Sequence, residues 1–212
     1  MFVRQMNYDG MVFNPQYPHL GGFSMGGDPS TYYPHMWKKL LDDLNIKSVV
    51  DVGCGRGYST EYFYKNFTSD VLGLDGCEEA LKFNLVPECI KKVDFTCGTF
   101  DLEKTTDLCW SCEFVEHVRE EYCDNFLNVF SQCRYIAMTY AEPDQGGHHH
   151  VNEQNEDYWV SKIENIGFKF DKEYTEQLKQ ACEQDRIIIC PQFEKMHFQN
   201  HGLFFRSTDN NA

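Results

Sequence analysis

Short apolar runs alternate along the chain with segments whose apolar residues recur at helical spacing. In segment 31–44, Trp37, Leu40 and Leu44 recur at intervals of three and four, and Asn45 follows where a helix C-cap would fall. Applied along the chain, these patterns predict helices over 31–44, 59–67, 78–85, 113–133 and 157–166, and strands over 48–52, 71–75, 92–95, 108–112, 135–140, 168–170 and 203–206. Strands that alternate with helices form right-handed βαβ units, so the sequence predicts an α/β fold with a largely parallel sheet.

The chain length and the N-terminal composition bear on domain organisation. A length of 212 residues fits one domain, so we expect 1–212 to form a single unit. Residues 1–30 are rich in Gly, Pro, Asn and aromatic side chains, which predicts an irregular arm. The aromatic positions that follow could close over a ligand, but packing against the sheet is the favoured interpretation for Tyr32, Tyr33, His35 and Trp37.

Charge and hydropathy exclude several classes of protein. The net charge of −14, with no long basic block, argues against DNA or another phosphate backbone as a partner. No apolar run reaches the length of about 18–20 residues that a membrane helix needs, and the N-terminal residues lack the apolar core of a signal peptide. We therefore expect a cytoplasmic protein, in the host cytoplasm if it is viral.

The ten cysteines lie mostly inside predicted strands and helices, unlike those of a loop-rich disulfide scaffold. Cys109 and Cys112 form a CxxC motif, which is either a redox pair or two reduced core residues. The second interpretation is favoured because the motif falls within an apolar strand-like run. The sequence therefore predicts that the protein resides in a reducing compartment.

A glycine-rich turn between the first long strand and its helix is the strongest local signal. Gly53, Gly55 and Gly57 allow a sharp turn and a close approach of the backbone to a ligand. Dinucleotide sites have the spacing GxGxxG, and here the third glycine of that motif would fall at position 58, which is Tyr58. No P-loop lysine follows. Asp51 before the turn would repel a pyrophosphate but suits a ligand that carries an amino group and a sulfonium.

Two further acids lie at the ends of predicted strands. Asp75, with Gly76 after it, comes twenty residues after Gly55, where a carboxylate accepts hydrogen bonds from two ribose hydroxyls. Asp94 could accept a hydrogen bond from an adenine amino group while the Phe95 N–H donates to a ring nitrogen. Both positions predict a nucleoside site at the carboxyl edge of the sheet.

Four motifs in this order resemble those of class I S-adenosylmethionine-dependent methyltransferases: DVGCGRG, GLDG, VDFT and WSCEFVEHV, within residues 49–170. The resemblance implies a Rossmann-like fold, a mostly parallel seven-stranded sheet with helices on both faces, and S-adenosyl-L-methionine as the cofactor. The implied cofactor contacts are Asp51, Gly53, Gly55, Gly57, Asp75, Gly76, Asp94 and Phe95.

The acceptor side is predicted from two clusters. On the predicted helix, Glu113, Glu116 and His117 would share one face and suit Mg²⁺ or Mn²⁺, although acids are also favoured in any first helical turn. A polar loop with two glycines and three histidines, His148 to His150, follows the fifth strand and is predicted to serve as a metal ligand or base. Residues 172–200 are expected to form a cap over this side.

These clusters resemble two groups of methyltransferases. Glu-x-x-Glu-His with a later His-x-x-Glu resembles the metal-dependent small-RNA 2′-O-methyltransferases, and the ubiquinone-pathway O-methyltransferases carry a similar motif. This resemblance implies a metal bound by Glu113, Glu116, His117 and His150. The stretch GGHHHVNEQNEDYW is similar to polysaccharide-associated methyltransferases of bacteria and viruses.

The second resemblance implies a sugar hydroxyl as the acceptor, in a glycan or a deoxyhexose such as rhamnose, and glycosyltransferases of the same pathway as partners. His149 is the expected base, and Glu116 is expected to act in catalysis as well as in metal binding. The alternatives are a metal-free O- or N-methyltransferase of a small metabolite, an RNA ribose 2′-O-methyltransferase, and a catalytically silent cofactor-binding module.

Overall fold

The computed structural model describes residues 11–12, 18–20 and 23–209. Most of the predicted N-terminal arm therefore lies outside the described residues. Within it, β1 (Met11–Val12) and β2 (Phe23–Ser24) form a short antiparallel pair.

The remaining strands form one seven-stranded sheet in the order β5-β4-β3-β6-β7-β9-β8. Neighbours from β5 to β7 run parallel, and β9 runs antiparallel to both β7 and β8. The strands are β3 (Val49–Val52), β4 (Val71–Asp75), β5 (Ile90–Lys92), β6 (Thr106–Ser111), β7 (Cys133–Thr139), β8 (Phe168–Phe170) and β9 (Gly202–Ser207). The predicted α/β fold with a mostly parallel seven-stranded sheet is confirmed.

Helices cover both faces of this sheet: α1 (Pro34–Leu44), α2 (Tyr58–Asn66), α3 (Glu78–Lys82), α4 (Cys123–Ser131), α5 (Glu156–Glu164), α6 (Lys172–Ile189) and α7 (His197–His201). One core contains Phe126 of α4 and Trp159 of α5. The other contains Trp37 of α1 and Leu178 of α6. The strands join the two cores because successive side chains point to opposite faces.

The N-terminal helix follows its sequence pattern closely. Asn45 adopts the left-handed conformation with φ 52° and caps α1, as predicted. Tyr33 and Trp37 are fully buried, and their rings pack edge-to-face on Trp110. Tyr33 and Trp37 therefore belong to the core, as predicted. Each of the ten cysteines is a free thiol.

The helix predicted over 113–133 is correct for residues 123–131 but wrong for residues 113–122. Glu113 has a left-handed backbone with φ 52°, a 3-10 turn covers Val115–His117, and α4 begins only at Cys123. The carbonyl of Glu116 accepts hydrogen bonds from the amides of Val151 and Asn152, at 2.9 and 3.1 Å. These tertiary bonds hold an open turn where the side-chain pattern alone favours a helix.

Smaller differences occur at the ends of other elements. The strand predicted over 92–95 is observed as β5 and ends at Lys92, so Asp94 and Phe95 lie in the loop after it. Residues 172–200 form α6, which packs on α1 and β9, and the start of α7. Among the helices that the structure describes, none has the length and apolar character needed to cross a membrane.

Candidate active site

Two adjoining cavities lie at the carboxyl ends of the parallel strands. The first, of about 300 Å³, is lined by residues that follow β3, β4, β5 and β6. The second, of about 330 Å³, lies beside it and is also lined by Asp28, His148 and His150. Gly53, Gly55 and two residues after β6 line both cavities. The place of the site agrees with the general rule that ligands of open α/β sheets bind beyond the strand ends.

The glycine turn forms the wall between the two cavities. Gly53, Gly55 and Gly57 have φ values of 77°, 55° and 83°, a region that side-chain-bearing residues rarely adopt. A Cβ atom at Gly53 would lie 2.4 Å from Cδ2 of Phe114. The predicted turn is thus present, and close packing excludes a side chain at Gly53.

Asp51 lies beneath this turn and lines the second cavity. The hydroxyls of Ser59 and Thr60 donate to its Oδ2 over 2.5 and 2.7 Å. Burial raises the pKa of the Asp51 carboxyl to about 6, although these two hydrogen bonds lower it. The carboxylate therefore ties the end of β3 to the first turn of α2.

Asp75 fixes the same turn from the next strand. Its Oδ2 accepts from the Gly55 N–H and its Oδ1 from the Cys77 N–H, each over 2.8 Å. Burial raises its pKa. Both Asp75 and Gly76 line the first cavity, and each carboxylate oxygen can accept a further hydrogen bond there.

Asp94 and Phe95 form the far wall of the first cavity. Asp94 Oδ1 accepts from the amide and the hydroxyl of Thr96, at 2.9 and 2.7 Å, and Oδ2 lies 3.4 Å from His19 Nε2. Burial alone would raise the pKa of Asp94, but the bonds from Thr96 and His19 outweigh it and lower the pKa. Phe95 packs edge-to-face on Phe114.

On the other side, three of the four predicted metal ligands come together. Glu116, His117 and His150 each offer a ligand atom, and these atoms lie within 4.8 Å of one another. Neither carboxylate oxygen of the buried Glu116 has a hydrogen-bond partner in the described part of the chain. Burial, with the charge of Glu113, raises the pKa of Glu116 well above its usual value.

The two imidazoles of this group are oriented by contacts at their Nδ1 atoms. His117 Nδ1 lies 3.3 Å from the His149 carbonyl, and His150 Nδ1 lies 3.0 Å from Glu153 Oε1, which leaves Nε2 of each ring as a ligand atom. Burial, with His150 nearby, lowers the pKa of His117 to about 4, so its ring is neutral at neutral pH. A buried carboxylate without a partner is costly, and a cation would satisfy it. The group therefore fits a divalent metal.

Glu113, the fourth predicted ligand, is not part of this group. Its Oε1 accepts from the Thr139 hydroxyl at 2.9 Å, and its own amide donates to that hydroxyl oxygen at 2.8 Å. Its Oε2 lies 3.2 Å from His197 Nδ1. Because the segment is not a helix, Glu113 does not share a face with Glu116 and His117.

His149, the predicted base, lines the first cavity and not the second. Its backbone is left-handed, with φ 55°, and its Nδ1 is buried without a hydrogen-bond partner among the described residues. Burial, with the neighbouring His148, lowers its pKa. The ring is therefore neutral and could accept a proton, but it lies on the side of Asp75 and Asp94.

Sequence reasoning missed Asp28, Thr139 and His197. Asp28 caps a short 3-10 turn and lies 3.1 Å from His197 Nε2. The pattern Asp-Pro-Ser predicts a cap at Asp28, but no local signal connects it with a histidine 169 positions later.

Comparisons with known proteins agree with this geometry. Residues 50–135 match the family profile described as "Methyltransferase domain". No curated protein matches the sequence. A TehB-like SAM-dependent methyltransferase from Corynebacterium glutamicum is 15% identical, with 86% of this chain and 90% of that chain covered and a TM-score of 0.57.

Two further solved structures share the fold. The plantazolicin methyltransferase BpumL, in complex with a pentazolic desmethylPZN analogue and SAH, is 12% identical, with coverage of 85% and 83% and a TM-score of 0.54. The methyltransferase domain of bacterial CtHen1-CN is 17% identical, with coverage of 65% and 86% and a TM-score of 0.51. The profile match includes the glycine turn, Asp75 and Asp94, and the three solved structures share the fold of this chain.

Proposed function

We propose that the protein transfers the methyl group of S-adenosylmethionine to a sugar hydroxyl, in a glycan or a deoxyhexose such as rhamnose, with the help of a divalent metal. The observation that carries the metal part is the Glu116 carboxylate, which is fully buried and without a hydrogen-bond partner in the described chain, beside two imidazoles.

The cofactor occupies the first cavity in this proposal. Asp75 accepts hydrogen bonds from the ribose hydroxyls, Asp94 accepts one from the adenine amino group, and the Phe95 amide donates to an adenine nitrogen. The methionine part lies along Gly53 and Gly55, above the Asp51 carboxylate. All of these residues line one or other of the two cavities, which supports the assignment.

Glu116, His117 and His150 would hold the metal at the edge of the second cavity. Bound there, a divalent ion would lower the pKa of a coordinated hydroxyl and hold its neighbour. Carboxylate and water ligands suit Mg²⁺ and Mn²⁺, and the two imidazoles make Mn²⁺ the better fit. Glu153 and the His149 carbonyl orient the imidazoles, a role that outer partners commonly have at metal sites.

Two features favour a neutral polyol as the acceptor. The second cavity is lined by the carboxylates of Asp28, Asp51 and Glu113, which would repel a phosphorylated or polyanionic acceptor. The net charge of −14 opposes RNA in the same way. The resemblance of GGHHHVNEQNEDYW to polysaccharide-associated methyltransferases supports the sugar assignment.

Methyl transfer from tritiated S-adenosylmethionine to a panel of methyl glycosides tests the proposal. We expect labelled product with Mn²⁺, loss of product in EDTA, and recovery when Mn²⁺ is restored. A matched glycoside that lacks the neighbouring hydroxyl should react more slowly, because chelation loses one oxygen.

Other outcomes would select an alternative. Full activity in EDTA after exhaustive dialysis would replace the metal mechanism with a metal-free O- or N-methyltransferase. Labelling of an RNA oligonucleotide but of no glycoside would move the acceptor to a ribose 2′-hydroxyl. S-adenosylmethionine binding without turnover on any acceptor would indicate a silent cofactor-binding module.

A further inference from the structure

The His197 imidazole lies between two carboxylates that are far apart in the sequence. Its Nε2 is 3.1 Å from Oδ2 of Asp28, and its Nδ1 is 3.2 Å from Oε2 of Glu113. Asp28 belongs to the segment before α1, Glu113 follows β6, and His197 is the first residue of α7. One ring thus connects three segments of the fold.

The two carboxylates have different positions relative to the cavities. Asp28 lines the second cavity, and Glu113 lines both, whereas His197 is not among the lining residues. A methyl group that leaves the cofactor in one cavity for an acceptor in the other must cross their junction. Glu113 therefore lies at the place of transfer, and His197 lies behind it.

Glu113 is held in an unfavourable conformation. Its φ of 52° is left-handed, a conformation that is unfavourable for a residue with a side chain. The Thr139 hydroxyl accepts from its amide and donates to its Oε1. Strained residues persist where their surroundings determine them strongly, and they concentrate at functional sites.

Each Glu113 oxygen has one partner, Thr139 or His197, and retains capacity to accept one more hydrogen bond. The His197 ring can donate to both carboxylates only when both of its nitrogens carry protons. Burial lowers the pKa of His197, but Asp28 and Glu113 outweigh it and raise the pKa. A cationic ring would also reduce the repulsion between the two acids.

We propose that His197 is a positioning residue that bridges Asp28 and Glu113 and so fixes the Glu113 carboxylate to accept a hydrogen bond from the acceptor hydroxyl. This inference rests on the proposed function, because it takes the acceptor group to be a hydroxyl. It adds a third component to the site, separate from the cofactor contacts and from the metal group.

The first test compares His197→Ala, His197→Gln and the wild type on a methyl glycoside that the wild type accepts as a substrate. We expect kcat/KM of the alanine variant to fall about 10–100-fold, the size of a lost charged hydrogen bond, mostly through KM for the acceptor. Gln should restore part of the loss, since its amide can still donate to one carboxylate. Affinity for S-adenosylmethionine, measured by calorimetry, should not change.

His201→Gln is the matched control, since His201 lies on the same short helix and is not among the residues that line either cavity. It should retain wild-type kinetics. An equal loss in His201→Gln, or a loss confined to S-adenosylmethionine affinity, would overturn the positioning role.

A second measurement does not depend on the acceptor. The ¹⁵N spectrum is recorded on histidine-labelled protein with bound S-adenosylhomocysteine. The signals of His197 are assigned as those that disappear in His197→Gln. In the wild type they should show two protonated ring nitrogens at neutral pH. The pKa of this ring should be lower in Glu113→Gln than in the wild type, because one of the two carboxylates that raise it is lost. A neutral His197 ring in the wild type would reject the bridge, whereas failure to methylate any glycoside would reject the proposed function and leave this result intact.

Discussion

The two halves of the site differ in how their polar groups are satisfied. On the cofactor half, Asp51, Asp75 and Asp94 each accept at least two hydrogen bonds from neighbouring hydroxyls or amides. On the acceptor half, the two carboxylate oxygens of the fully buried Glu116 have no hydrogen-bond partner in the described chain. Protein groups therefore satisfy the acids of the first half, whereas Glu116 in the second half fits the role of a metal ligand.

The halves also differ in how the chain builds them. The half proposed to bind the cofactor uses residues at the carboxyl ends of β3 and β4 and in the loop after β5, so short-range connections place them. The acceptor half joins Asp28, the turn after β6, the loop after β7 and the start of α7. Its geometry therefore depends on contacts between distant segments, and we expect it to be easier to disturb without loss of the fold.

The largest effect is expected for Glu116→Gln, which keeps the shape of the side chain but removes its charge. Turnover should fall about a thousandfold, since metal assistance stabilises the transition state by several kcal/mol. Cofactor affinity should stay near the wild-type value. The exposed Glu121 provides the control substitution Glu121→Gln. Unchanged turnover in Glu116→Gln, with Mn²⁺ present, would show that the Glu116 carboxylate is not needed for catalysis and would contradict the metal role proposed for the acceptor half.

The next effect is expected on the cofactor half. Asp75→Ala should weaken S-adenosylmethionine binding about a hundredfold, because each hydrogen bond to a charged group contributes about 1.5–3 kcal/mol. Asp75→Asn, which keeps one carbonyl oxygen, should lose less. Calorimetric titration gives both values, and thermal unfolding checks that the variants are folded. An unaltered dissociation constant for the alanine variant would refute the ribose assignment.

A smaller effect concerns stability and pH. Burial raises the pKa of Asp51 from 3.8 to about 6, so the folded state binds its proton more tightly than the unfolded state does. The resulting stabilisation is complete below about pH 4 and is lost as the pH rises through about 6. It amounts to about 2–3 kcal/mol, from about 1.4 kcal/mol for each unit of pKa.

Urea unfolding of the wild type and Asp51→Asn between about pH 4 and pH 7 measures this contribution. The stability of the variant relative to the wild type should increase with pH across that interval. Glu113 and Glu116 also have raised pKa values, but they are present in both proteins and their contributions cancel in the difference. The charge of Asp75 is one cause of the raised pKa of Asp51, so the difference includes the interaction between these two carboxyls. A difference that is constant with pH would show that Asp51 does not titrate in this range.

The smallest effect compares one glycine from each half. Gly53 and Gly146 have similar φ values, 77° and 69°, but an added Cβ meets Phe114 at Gly53 and nothing within 4 Å at Gly146. Gly146→Ala should therefore lower the free energy of unfolding only by the cost of the left-handed backbone, about 1 kcal/mol. Gly53→Ala should lower the free energy of unfolding by more than this and should also weaken S-adenosylmethionine binding. Equal losses in thermal unfolding and in affinity would contradict the close packing at the glycine turn.

The fold and the glycine turn could be predicted from the sequence because both depend on local patterns. The run 71–75 matches β4 residue for residue, and Asn45 caps α1 as its position indicates. The metal group was predicted only in part. Its members Glu116, His117 and His150 come together, but the helical face that was expected to join them with Glu113 does not exist.

The sequence by itself determined the α/β fold, the glycine turn, the acid at the end of β4 and the acid in the loop after β5. Strand periodicity, glycine spacing and strand-terminal acids act over a few residues, and backbone geometry carries them into the structure. Only the tertiary structure decided that Glu113 adopts a left-handed turn, faces Thr139 and meets His197. Hydrogen bonds from the amides of residues 151 and 152 to the Glu116 carbonyl replace the bond that this carbonyl would accept within a helix. No local sequence pattern can predict such a contact between distant residues.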